Sequence, residues 1–137
     1  MTGPAEGSRE LEHTADWEIE VWGPDLSSLF QQAALGMYAL LGLRLAEGPR
    51  KRRDLELEAP DAESLLVEFL NELLFLAESE GLGFDSFELS VESGRLGASL
   101  EGAPIAVRRK EIKAVTYSRL EIRESERGLT TRVVFDV

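Results

Sequence analysis

The chain has 137 residues, 43% of them hydrophobic and 30% charged, with no cysteine and a formal net charge of −11 from 26 acidic and 15 basic residues. That is enough chain for one domain with its own core. It excludes disulfides, thiolate metal sites and cysteine nucleophiles, and its negative surface disfavours tight nonspecific nucleic-acid binding by this chain alone.

Residues 1–9 read as a flexible tail and residues 10–137 as a single domain. From Glu10 to Trp22 the sequence alternates. Leu11, His13, Ala15, Trp17, Ile19 and Val21 share one parity; Glu10, Glu12, Thr14, Asp16, Glu18 and Glu20 share the other, which predicts one half-buried strand with an acidic face. Gly23-Pro24 breaks it. Asp25 then suits a helix N-cap, apolar residues from Leu26 to Leu41 recur at helical spacing, and Gly42 suits the stop.

Gly48-Pro49 marks a loop, and Lys51 to Glu58 alternates again with Leu55 and Leu57 inward. Asp61 is the second expected N-cap. Leu65, Leu66, Phe69, Leu70, Leu73, Leu74 and Leu76 follow as a broad apolar stripe, ended by Gly81 and Gly83. Strands are expected over 84–91, 96–101, 111–123 and 129–135, with a break at Gly102-Ala103-Pro104. Arg50-Lys51-Arg52-Arg53 and Arg108-Arg109-Lys110 read as solvated loop or edge-strand charge. The expected fold class is α+β: a single two-layer domain with two helices packed on a mostly antiparallel sheet of about six or seven strands.

Few residues point to chemistry. Asp136 and the terminal carboxylate of Val137 lie at one end of the chain and Asp16 at the other. If the fold joins the ends, their oxygens suit a hard divalent cation with water completing the shell. His13, the only histidine, falls on the inward parity and reads as a hydrogen-bonded, partly buried residue. Tyr117 reads as a packed ring with a polar tip. There is no Walker or Rossmann phosphate loop and no GxSxG elbow. No apolar run approaches the roughly 20 residues of a membrane helix, and no basic-then-apolar segment opens the chain, so a soluble cytoplasmic protein is expected.

Five segments occur in the order seen in one family. They are His13-Thr14-Ala15-Asp16, Ala33-Ala34-Leu35-Gly36-Met37, Leu65-Leu66 to Glu72-Leu73-Leu74, Lys113-Ala114-Val115-Thr116-Tyr117, and Val134-Phe135-Asp136-Val137. From about His13 onward the chain resembles archease. The resemblance implies a non-enzymatic accessory protein of an RtcB-type RNA ligase, promoting ligase guanylylation and multiple turnover in tRNA splicing and RNA repair. It implies a divalent metal ion, calcium in crystals, held by Asp16, Asp136 and Val137, and contact with RNA only through the ligase. A general chaperone or adaptor for nucleic-acid-modifying proteins is the alternative. The chain departs from the family pattern in having Ser118 where a histidine often follows the Thr-Tyr pair. Its stretch from Gly102 to Lys110 is short and basic where the family often has a longer loop, and Trp17 stands where smaller apolar residues are usual.

Overall fold

Both helices form where a carboxylate can take over a backbone donor at the start and a glycine can turn the chain at the end. The Asp25 side chain accepts from the Ser28 N–H at 2.8 Å, and the Asp61 side chain accepts from the Ser64 N–H at 2.7 Å. That contact holds the Asp61 carboxyl below the usual aspartate range. Gly42 and Gly81 stop the helices in the left-handed region, at φ 66° and 65°, which costs a residue without Cβ little. The resulting helices are α1 (Leu26–Leu41) and α2 (Ala62–Glu80), as the apolar spacing predicts.

The computed structural model describes residues 5–11, 17–117 and 120–137. Its strands are β1 (Gly7–Leu11), β2 (Trp17–Gly23), β3 (Arg44–Leu45), β4 (Lys51–Glu58), β5 (Leu82–Glu92), β6 (Arg95–Val107), β7 (Ala114–Thr116), β8 (Arg123–Ser125) and β9 (Gly128–Asp136). The α+β class stands, but the described residues form nine strands in two antiparallel sheets rather than six or seven in one. The first sheet runs β1-β2-β9-β7, with β8 also on β9. The second runs β3-β6-β4, with β5 also on β6.

Three local expectations change. The alternating stretch from Glu10 to Trp22 is two antiparallel partners, β1 and β2, paired from Gly7 opposite Trp22 to Leu11 opposite Glu18. Parity carries no information about chain reversal, so alternation alone merged them. Gly7, Ser8 and Arg9, assigned to the tail, belong to β1. A Cβ at Gly7 would lie 2.6 Å from the Trp22 ring, so the missing side chain makes room for the indole. At the other end, 111–123 is not one strand. Within that stretch β7 and the first residue of β8 pair with β9, while Ile112, Leu120 and Ile122 reach the core from irregular backbone.

The expected break at Gly102-Ala103-Pro104 lies inside β6. The glycine marks a close approach: a Cβ at Gly102 would sit 1.9 Å from the Gly83 carbonyl oxygen. Beside it the register with β5 shifts between Phe84 and Ser86, the signature of a bulge. Pro104 has no N–H to donate, but its carbonyl accepts from the Ala46 N–H at 2.7 Å.

One core unites the sheets. α1 packs on β1, β2 and β9 and also touches β5; α2 packs on β4, β5 and β6 and also touches β7. Phe30 and Phe69, both fully buried, stack with ring centroids 6.0 Å apart where the helices meet. Each such side chain contributes roughly 1.5–3 kcal/mol by leaving water. The wide stripe of α2 is therefore core. Burial pushes the Tyr38 phenol far above its ordinary range, so it stays protonated at physiological pH.

Candidate functional site

The pairing of β2 with β9 brings the early and final parts of the chain side by side, with Trp17 opposite Phe135 and Ile19 opposite Val133. Strand parity then sorts β9. Val133 and Phe135 are fully buried, whereas Asp136 follows on the opposite face and is exposed. The backbone carbonyl of Asp136 accepts from the Lys113 N–H at 2.8 Å, and Ala114 pairs across from Asp136. Asp136 has no ion pair among the described residues. Its carboxylate is a hard oxygen donor, the type that calcium and magnesium accept, and Val137 beside it is 38% exposed.

The third predicted ligand, Asp16, and the single histidine, His13, lie outside the described residues, as does Ser118. The described residues alone contain no group of three or more histidine, cysteine or acidic side chains that would hold a metal. The described donors fit a hard cation in type and do not by themselves complete its shell.

What holds this corner is a residue that sequence reasoning passed over. Asn71 of α2 accepts from the Val115 N–H at 2.9 Å and donates through Nδ2 to the Val115 carbonyl at 3.3 Å. The amide thus acts as one extra residue of sheet on β7, which has β9 on one side and this side chain on the other. The available signal was a lone amide within an apolar stripe, inside the Leu65 to Leu74 motif. Asn71→Ala would leave the part-buried Val115 N–H and C=O without these partners, and should lower stability by about 2 kcal/mol in urea denaturation. Amide exchange at Val115 and Lys113 should rise with it. Unchanged protection there would show that Asn71 does not hold β7.

The two basic clusters are engaged within the chain. The backbone N–H groups of Arg109 and Lys110 both donate to the Leu41 carbonyl at 3.0 Å, closing the end of α1, where cationic side chains also oppose the helix dipole favourably. Arg108 pairs with Glu78 at 2.7 Å. Lys110 Nζ lies 4.8 Å from the centroid of the Trp17 ring, so the departure at position 17 has a cation stacked on it. In the other cluster Arg50 pairs with Asp85 and, at 3.1 Å, with Glu101, while Arg53 reaches Glu80 at 2.5 Å. The Arg50 contact holds the Asp85 carboxyl below its ordinary range. Tyr117, expected as a packed ring, is 58% exposed. No helix among the described residues is long and apolar enough to cross a membrane.

The Archease protein family (MTH1598/TM1083) matches residues 9–137. Protein archease from Methanosarcina barkeri is 35% identical over 140 residues, covering 93% of each chain. Protein archease from Methanothermobacter thermautotrophicus is 33% identical over 132 residues, covering 90% of this chain and 94% of that one. Among solved structures, Methanobacterium thermoautotrophicum protein 1598 superposes with a TM-score of 0.71 at 29% identity, covering 96% of this chain and 99% of that one. An archease of Thermotoga maritima, described as a "possible chaperone", superposes with a TM-score of 0.70 at 25% identity, covering 100% and 98%. The match in sequence over nearly the whole chain, and in fold over the same span, establishes that this chain belongs to the archease family.

Proposed function

We propose that this chain is a non-enzymatic activator of an RtcB-type RNA ligase, promoting guanylylation of the ligase and its multiple turnover in tRNA splicing and RNA repair. A divalent cation would be held by Asp16, Asp136 and the α-carboxylate of Val137, with calcium a ready occupant in crystals and another divalent ion serving in the cytoplasm. The ligase performs the chemistry and contacts the RNA; this chain presents a carboxylate corner beside the ligase site and forms no covalent intermediate. The observation that carries the reading is family membership across residues 9–137, supported by the pairing of β9, which carries Asp136, with β2, which begins directly after Asp16 in the sequence.

The test is ligation of RNA ends by the cognate ligase with GTP and a catalytic amount of this protein. Many turnovers per ligase are expected with the protein and roughly one without it. Pretreating this protein with chelator and then removing the chelator should abolish stimulation until a divalent ion is restored. A ligase that turns over equally well with and without the protein would end the proposal.

A second reading, a general chaperone or adaptor for nucleic-acid-modifying proteins, is favoured by the description of the Thermotoga maritima relative. It predicts many partners whose capture is insensitive to chelation, whereas the ligase reading predicts one dominant, chelator-sensitive partner.

A further inference from the structure

On the outer face of the first sheet, cross-strand register lines up three residues in one row: Arg9 of β1, Glu20 of β2 and Arg132 of β9. Arg127, in the turn before β9, joins them. Its guanidinium lies 4.3 Å from the centroid of the Trp22 ring, stacked on the next row of the same face. All three guanidiniums converge on one carboxylate. Arg9 Nη2 is 3.0 Å and Arg127 Nη2 3.7 Å from Glu20 Oε1, and Arg132 Nε is 3.9 Å from Glu20 Oε2.

From this we infer an oxyanion site of the phosphate class, built by Arg9, Arg127 and Arg132 around Glu20. One carboxylate facing three guanidiniums leaves two positive charges in excess, in a chain whose net charge is −11. Like charges this close repel, and screening by water is weakest beside a Glu20 side chain that is only 13% exposed. A dianion cancels the excess.

Hydrogen-bond capacity points the same way. Three guanidiniums carry about fifteen N–H donors, and one carboxylate accepts about four. The contacts from Arg127 and Arg132 are longer than hydrogen bonds, so their forks stay open to the oxygens of a phosphate, and the arginine side chains are 48% and 61% exposed. Glu20 and the Trp22 ring do the positioning: the carboxylate gathers the guanidiniums and the indole holds Arg127 flat. A cavity of about 390 Å³, lined by Glu20, Glu121, Arg123, Thr130, Thr131 and Arg132, opens beside the cluster and leaves room for the remainder of a small phosphomonoester; its second carboxylate, Glu121, is neutralised by Arg123 at 2.8 Å.

The experiment follows the arginine Nε–Hε resonances of the full chain during titration with inorganic phosphate, against chloride at matched ionic strength. Saturable shifts confined to Arg9, Arg127 and Arg132 are expected. Arg127→Gln and Arg132→Gln, both at exposed positions, should each weaken phosphate binding by roughly tenfold. The two arginine variants decide, because Glu20 is the residue that gathers the guanidiniums and its substitution would disturb the site itself. Equal responses to phosphate and chloride, or phosphate binding undiminished in both arginine variants, would overturn the assignment. Neither ligase nor metal enters the measurement, so its outcome is independent of the proposed activation.

Discussion

Asp136→Ala is expected to leave the protein folded and to abolish the proposed stimulation of an RNA ligase. The side chain is exposed at the end of β9, and the contact that fixes the residue is made by its backbone carbonyl to the Lys113 N–H, which alanine retains. Removing an exposed carboxylate without an ion pair among the described residues should change stability by no more than about 0.5 kcal/mol. If the carboxylate is a metal ligand, its loss removes one of few negatively charged donors from the shell, and the metal-dependent stimulation goes with it. The measurement is multiple-turnover ligation beside thermal denaturation of the variant, with Asp16→Ala run in parallel. Full stimulation by both variants would remove the metal corner from the mechanism. Extending the chain beyond Val137 tests the same idea from the other side, because it converts a charged carboxylate into a neutral amide.

Gly102→Ala should destabilise the fold by about 3 kcal/mol or more, enough to unfold a marginal domain at physiological temperature. The new methyl group would meet backbone atoms, not a flexible side chain. The Gly83 oxygen lies 1.9 Å and the Phe84 Cα 2.7 Å from its position, so β5 must move. That displacement would disturb Phe84, which is 2% exposed in the core. Gly97 in the same strand is the control, because a Cβ there has no neighbour within 4 Å. Gly97→Ala should be neutral or slightly stabilising, since alanine loses less chain entropy on folding than glycine does. Urea midpoints of the two variants against the parent protein settle the matter, and equal midpoints would mean that the β5–β6 approach is not tight.

The helices were legible residue by residue because everything that defines them is local: Asp25 and Asp61 sit three residues before the N–H they accept from, and the apolar positions recur every turn. The strands were legible as parity but not as partners. Alternation placed Ile19 and Val21 inward correctly, yet it could not separate β1 from β2 or divide the strands between two sheets. The break read at Gly102 was a true signal with another cause, since a missing Cβ marks a turn or a close approach equally well in one dimension.

The candidate site divides in the same way. By itself the sequence determined the donor types, the absence of thiolates, the family resemblance and the excess of negative charge, all of which are properties of composition and order. Only the tertiary structure decided that β2 lies against β9, that Asn71 closes the free side of β7, and that Arg9, Arg127 and Arg132 meet at Glu20. Those arginines stand as far as 123 positions apart in the chain. What lines up Arg9, Glu20 and Arg132 is sheet register, fixed by burying one face of every strand, and a one-residue slip would turn those side chains to the other side; the turn before β9 then brings in Arg127.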